Sequence, residues 1–66
     1  MGKELVDIFY CGKDIEVYGC WTNEKPPEGT YEFYDLYVNG ECVSINHPWL
    51  TKPTVQEAVH FVKTNT

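Results

Sequence analysis

The dipeptide Asn39-Gly40 constrains the fold more than any other feature of this sequence. It separates two runs of alternating apolar residues, and Asn-Gly in that position is the preferred two-residue loop of a β-hairpin. With this loop, the cross-strand pairs run outward from Val38 and Glu41 to Tyr34 and Ile45. The sequence therefore predicts a hairpin of fixed register around this turn.

This register assigns the side chains of the hairpin to two faces, because successive residues of a strand point to opposite sides. One face is mainly aliphatic and consists of Tyr34, Leu36, Val38, Val43 and Ile45. The other combines rings with polar groups and consists of Tyr31, Phe33, Asp35, Tyr37, Cys42 and Ser44.

A second hairpin is predicted nearer the N-terminus, from residues 5 to 11 and 15 to 22, which are rich in β-branched and aromatic residues. A two-residue loop at Gly12-Lys13 pairs Tyr10 with Ile15. One face is then aliphatic, with Val6, Ile8, Tyr10, Ile15 and Val17. The opposite face mixes acids and rings, with Leu5, Asp7, Phe9, Cys11, Glu16, Tyr18 and Cys20.

A helix is predicted after the second hairpin. Residues 54 to 57 match the T-x-x-E capping box, and an apolar stripe with helical spacing follows at Val55, Ala58, Val59 and Val62. Such a short helix is unstable alone, so we expect it to dock on the aliphatic sheet face. The predicted fold is α+β: a single small domain, residues 1 to 66, with a four-stranded antiparallel meander and one C-terminal helix in the order ββββα.

One helix covers only one face of the sheet, so the aromatic face is expected to be open. The predicted partner-binding residues on it are Phe9, Tyr18, Tyr31, Phe33, Asp35 and Tyr37. Exposed rings on this scale are typical of interaction sites. An acidic rim favours a basic protein partner and is expected from Asp7, Glu16, Glu32 and Asp35.

The segment that precedes the helix and the end of the first hairpin provide a second candidate surface, formed by Trp21, His47 and Trp49. Two interpretations of Trp49 stay open. It either caps the end of the core, which is the usual position of a tryptophan, or it is an exposed anchor for a partner.

Charge argues against ordinary nucleic-acid binding. The formal net charge is -5, and the basic residues are five scattered lysines without any arginine. Phosphates are normally bound by clusters of lysine and arginine. An alternative function, in which the sheet rings stack the bases of a single-stranded nucleic acid, is therefore disfavoured by electrostatics.

Catalytic and metal-binding patterns are absent from the sequence. The three cysteines, Cys11, Cys20 and Cys42, contain no C-x-x-C pair, so neither a zinc knuckle nor a thioredoxin-type motif is predicted. Residues arranged as nucleophile, base and orienting group are not recognisable either. We therefore predict a protein that is not an enzyme and requires no cofactor.

These features together predict a cytoplasmic protein without a membrane span or a signal peptide. The predicted function is a non-enzymatic protein-interaction module, an accessory or regulatory, inhibitory binder that also forms a homodimer. A structural homodimer without a separate partner site is the alternative.

Overall fold

The chain forms a four-stranded antiparallel sheet followed by one helix. A computed structural model describes residues 1–27, 29–45 and 47–64. The sheet has the strand order β1-β2-β3-β4, with bounds β1 Gly2–Tyr10, β2 Asp14–Trp21, β3 Phe33–Val38 and β4 Glu41–Cys42, and the helix is α1 Val55–Thr64. The predicted α+β fold of order ββββα is confirmed.

The core lies between α1 and one face of the sheet, which we call the covered face. Its buried side chains come from β2, β3, α1 and the segment before β3, and they are Ile15, Val17, Tyr31, Tyr34, Leu36, Val38, Ala58 and Val62. The predicted helical stripe is confirmed at Ala58 and Val62, which are buried, and at Val59, which is partly buried against the core, whereas Val55 is about half exposed at the start of the helix. The first helical turn therefore adds little to the core.

A capping box begins the helix, as the sequence predicts. The Thr54 amide donates to Glu57 Oε1 at 2.9 Å, and the Glu57 amide donates to Thr54 Oγ1 at 3.2 Å. These two bonds satisfy amides that have no partner within the helix. The helix therefore starts where the chain leaves Pro53, which is itself buried.

The hairpin at Asn39-Gly40 has the predicted register, with Val38 opposite Glu41. Both turn residues have positive φ, 53° and 82°, as a type I′ turn requires. The predicted pair of Tyr34 with Ile45 is wrong. The Leu36 amide donates to the Ser44 hydroxyl at 3.0 Å instead of continuing a backbone ladder, so β4 ends early and Tyr34 bridges to Trp49.

The first hairpin has a longer loop than predicted, and its register is shifted. Tyr10 pairs with Asp14, and Phe9 pairs with Ile15, so residues 11 to 13 form the loop. As a consequence Phe9 lies on the covered face and packs against the core. Ile8 and Tyr10, which were expected to point inward, point outward.

A β-bulge interrupts β1 between Leu5 and Asp7. Leu5 pairs with Tyr18 and Asp7 pairs with Val17, so Val6 is the extra residue. Leu5 points outward as predicted, whereas Asp7 was predicted on the outward face and lies on the side of Val17. The extra residue is what reverses the alternation along this strand.

Tyr31 is also placed differently from the prediction. It was expected to face outward, but it is 8% exposed and belongs to the core. Its ring lies across Gly19, where a Cβ would be only 2.5 Å from the ring, and it stacks on Trp21 with centroids 6.2 Å apart. The missing side chain of Gly19 creates the space that this ring fills.

Candidate protein-interaction face

The sheet face opposite α1 carries six apolar side chains from three strands, and we call this surface the open face. These side chains are Leu5, Ile8, Tyr10, Tyr18, Phe33 and Tyr37. Residues directly opposite in an antiparallel pair share a face, and the observed pairs connect this set across the sheet. Of the predicted binding residues, Tyr18, Phe33, Asp35 and Tyr37 lie on this face, and Phe9 and Tyr31 do not.

Exposure on the open face is concentrated on β1. Leu5, Ile8 and Tyr10 are 46%, 51% and 73% exposed. The rings of Tyr18, Phe33 and Tyr37, on the inner strands, are partly buried. The uncovered apolar surface therefore lies at the β1 side of the face.

The middle of the open face is organised around Lys3. Its ammonium donates to the Tyr37 hydroxyl at 3.2 Å and lies 4.6 Å from the Tyr37 ring centroid and 5.4 Å from that of Tyr18. The two rings meet edge to face with centroids 4.9 Å apart. The hydrogen bond with Tyr37 raises the pKa of Lys3 above its ordinary value of 10.5. These contacts hold both rings in defined orientations.

A polar group lies next to the rings on β2 and β3. The Asp35 carboxylate accepts from the Cys20 thiol at 3.7 Å and from the Ser44 hydroxyl at 3.2 Å. Burial, followed by the charge of Asp35, raises the pKa of Cys20 to about 11. The raised pKa keeps Cys20 in the protonated form at neutral pH, and the thiolate is the reactive form of cysteine.

The predicted acidic rim is only partly present. Asp7 binds Lys52 at 2.9 Å on the covered side, and its hydrogen bond with Lys52 lowers the pKa of its carboxyl group. Glu32 accepts from both the amide and the hydroxyl of Thr22 at 2.9 Å, and the amide bond is the main cause of its lowered pKa. Glu16 remains on the open face, opposite Ile8.

Sequence reasoning missed Ile8 and Tyr10 as members of this face. Apolar residues occupy both alternating sets of positions in residues 5 to 10, so the sequence pattern of β1 does not fix which set points inward. The register depended on the length assumed for the loop. Gly12 fits a three-residue loop as well as a two-residue one, and the three-residue loop would have indicated both residues.

The second candidate surface is divided between two places. Trp21 stacks on Tyr31, whereas His47 and Trp49 pack with Phe61, with ring centroids between 5.6 and 6.0 Å apart. Trp49 is partly buried against the core, in agreement with a capping position. Its indole N–H is buried and has no hydrogen-bond partner among the residues described.

A cavity of about 450 Å³ lies beside Tyr31 on the covered side. Its charged groups bind one another: Lys25 pairs with Glu4 at 2.8 Å, and the Tyr31 hydroxyl donates to the same carboxylate. The hydrogen bond from Lys25 is the largest cause of the lowered pKa of Glu4. The cavity therefore presents internal ion pairs rather than an uncompensated charge.

Comparisons with protein-family models, with curated proteins and with solved structures found no match. Within residues 1–27, 29–45 and 47–64, no group of three or more His, Cys, Asp or Glu residues is arranged to hold a metal ion. In the same part of the chain, no helix has the length and apolar character needed to cross a membrane.

Proposed function

We propose that this protein is a non-enzymatic protein-interaction module that acts through the open face. Its role is that of an accessory protein or of a regulatory or inhibitory binder. The observation that carries the proposal is the exposure of Leu5, Ile8 and Tyr10 side by side on β1, contiguous with three further rings. Contiguous apolar surface of this kind is favourable to bury and is characteristic of interaction sites.

Rigid rings favour binding because little conformational entropy is lost when a partner arrives. Lys3 already holds Tyr18 and Tyr37 in place on the free protein. Tyrosine also combines apolar area with a polar tip, which explains its enrichment at the centres of interfaces. The inner strands thus supply a preorganised platform, and β1 supplies most of the area that becomes buried.

Electrostatics supports a protein partner over a nucleic acid. Asp14, Glu16 and Asp35 belong to the open side of the sheet and would repel phosphates. The net charge of -5 would steer basic proteins towards this molecule at long range. Cys20, the buried thiol beside the rings, is too weak an acid to act as a nucleophile at neutral pH.

The state of the cysteines supports a cytoplasmic location. Cys11, Cys20 and Cys42 are all free thiols. Free thiols persist in a reducing compartment, and disulfides are typical of oxidising ones. We therefore place the interaction in the cytoplasm as part of the proposal.

Photo-crosslinking in the cells that naturally produce this protein tests the proposed function. Tyr10 is replaced by the photoreactive residue p-benzoylphenylalanine, which keeps an aromatic ring at a position that is 73% exposed. Leu50, 78% exposed in the segment before α1, provides the matched control position. We expect discrete protein adducts from position 10 and none from position 50.

The mass of an adduct identifies the partner, and either a second copy of the chain or another protein supports the proposed function. An Ile8→Glu substitution in the crosslinking chain should abolish the adduct, because it places a charge in the centre of the interface. Absence of an adduct at position 10, or equal crosslinking at position 50, would rule out a binding function for the open face.

A further inference from the structure

We infer that the open face binds a basic amphipathic helix of another protein. The apolar stripe of this helix covers Leu5, Ile8 and Tyr10. Its arginine or lysine side chains pair with Asp14 and Glu16. The inference rests on the proposed function and specifies the chemistry of the partner. It follows from three properties: the unpaired carboxylates of the open face, the dimensions of this face and the irregular edge of the sheet beside it.

Glu16 is an acid set among apolar side chains. It lies opposite Ile8 on β1 and opposite Tyr37 on β3, and it is partly buried. Among the residues that the structure describes, no salt bridge involves it. A partner that covers Ile8 and Tyr37 also removes water from this carboxylate, and a buried charge without a counter-charge is strongly unfavourable. The partner must therefore bring a cationic side chain to Glu16.

The other charges of the open face place the cationic groups of the partner near the loop between β1 and β2. Asp14 lies opposite Tyr10, is exposed and forms no salt bridge within the described part of the chain. The Asp35 carboxylate already accepts two hydrogen bonds within the protein, and the Lys3 ammonium already donates to a tyrosine hydroxyl. Asp14 and Glu16 are thus the acids that a basic partner pairs with.

The dimensions of the open face suit a single helix. The usual strand spacing and rise give three full strands and the short β4 a width of roughly 15 Å and a length of roughly 25 Å. A helix with its side chains is about 10–12 Å wide, and roughly 16 residues span the same length. The footprint of roughly 400 Å² is about half of what each partner contributes to a standard interface. A second helix, opposite α1, therefore fits this area better than a folded domain.

The edge of the sheet at β1 is irregular, which disfavours a partner that adds a strand. The bulge between Leu5 and Asp7 interrupts the row of backbone groups along β1. The Ile8 amide donates to Asp7 Oδ1 at 2.9 Å. A regular ladder needs evenly spaced free amides, and bulges are a common way to prevent edge pairing. The partner therefore lies on the face, where the apolar stripe of a helix can contact neighbouring strands.

Binding of designed peptides to the purified full chain, followed by fluorescence anisotropy, tests this inference. The first peptide is a labelled helix of about 16 residues with a stripe of leucines at helical spacing and arginines beside it. One control peptide contains the same residues in an order without helical periodicity, and the other carries glutamates in place of the arginines. We expect saturable binding of the first peptide, weakened by salt, and binding at least about tenfold weaker for both controls.

Paired variants of the chain test whether the peptide binds at the open face. Glu16→Gln keeps the shape of the side chain and removes its charge, so it should weaken binding roughly tenfold and reduce the dependence on salt. Glu24→Gln makes the same change in the exposed linker and should have no effect. Ile8→Ala should weaken binding about threefold to tenfold, whereas Leu50→Ala, at an exposed position before α1, should not. Far-ultraviolet circular dichroism checks that each variant is folded.

Absence of saturable binding, equal affinity for the three peptides, or unchanged affinity of the Glu16→Gln variant would each overturn the inference. Sequencing of the segment that crosslinks to position 10 separates such a failure from failure of the proposed function. A basic segment with helical apolar spacing supports both, whereas any other segment, including one of this same chain, contradicts the inference alone. Absence of any adduct contradicts the proposed function itself.

Discussion

The two faces of this sheet arise from the same strands, yet they differ in how fully they are covered. On the covered face, Val17 and Leu36 are completely buried, whereas Leu5 and Ile8 on the open face keep about half of their surface exposed. The difference follows from α1, a helix of ten residues that lies on one side of the sheet. Folding therefore depends on the covered face, and the open face keeps apolar surface exposed to solvent.

The largest expected contrast comes from removing the same side chain on each face. Leu36→Ala leaves a cavity in the core and should reduce the free energy of unfolding by roughly 2–5 kcal/mol, out of about 3–10 kcal/mol for a chain of this length. Leu5→Ala should cost under about 1 kcal/mol in the monomer, because Leu5 is already half exposed. Urea denaturation at low protein concentration measures both.

Equal losses for these two leucines would contradict the division between the faces. Repeating both measurements at several protein concentrations separates the cost in the monomer from any contribution of association, which depends on concentration.

A methyl group added to the covered face should have the next largest effect. In Gly19→Ala the new Cβ would lie 2.5 Å from the Tyr31 ring, so the ring must move, and we expect a loss of roughly 1–3 kcal/mol. The same substitution in a Tyr31→Leu background should cost less, because the smaller side chain can shift. Equal costs in both backgrounds would mean that the Tyr31 ring does not depend on the space at Gly19.

A smaller loss of stability is expected from a substitution at the start of α1, the helix that lies on the covered face. Thr54→Ala removes the hydroxyl that accepts a hydrogen bond from the Glu57 amide. Loss of such a cap lowers the free energy of unfolding by about 1 kcal/mol. Thr54→Ser keeps the hydroxyl and serves as the control, with near-normal stability expected. Thermal unfolding followed by circular dichroism compares the two variants, and an equal loss in both would argue against the capping role.

The smallest expected effects are dependences of stability on pH, and they have opposite signs on the two faces. Asp7 on the covered side has a lowered pKa, so its contribution is present above the ordinary value of 3.8 and is lost as the pH falls. Lys3 on the open face has a raised pKa, so its contribution is present below 10.5 and is lost as the pH rises through the raised value.

Urea midpoints measured from acid to alkaline pH separate these two contributions. Lys52→Met removes the main partner of Asp7 and should flatten the acid side of the profile only. Lys3→Met should flatten the alkaline side only. The changes are small because these groups are at the surface and solvent screens them. A substitution that altered the opposite side of the profile would contradict the assignment.

How much of the fold the sequence predicts depends on the turns. Asn39-Gly40 has a strong preference for a two-residue loop, and the register next to it is confirmed. Gly12-Lys13 has no such preference, and β1 carries apolar residues on both sides, so neither the loop length nor the alternation determined its register. Phe9 and Asp7 were consequently assigned to the wrong face.

Tyr31 was misplaced for a different reason. It precedes β3, so alternation counted back from Asn39-Gly40 no longer applies to it. What determines its position is the space above Gly19 on the neighbouring strand. A glycine inside a strand often marks the close approach of another group, but the sequence alone does not indicate which ring will fill the space.

The backbone bridge between Tyr34 and Trp49 has a consequence for how the chain folds. The Tyr34 amide donates to the Trp49 carbonyl at 2.7 Å, and the Trp49 amide donates back at 3.0 Å. This bridge joins the middle of the connection between β4 and α1 to β3, so that one long loop becomes two short ones. Short loops close at lower entropic cost, so the bridge lowers the entropic cost of bringing α1 back onto the sheet.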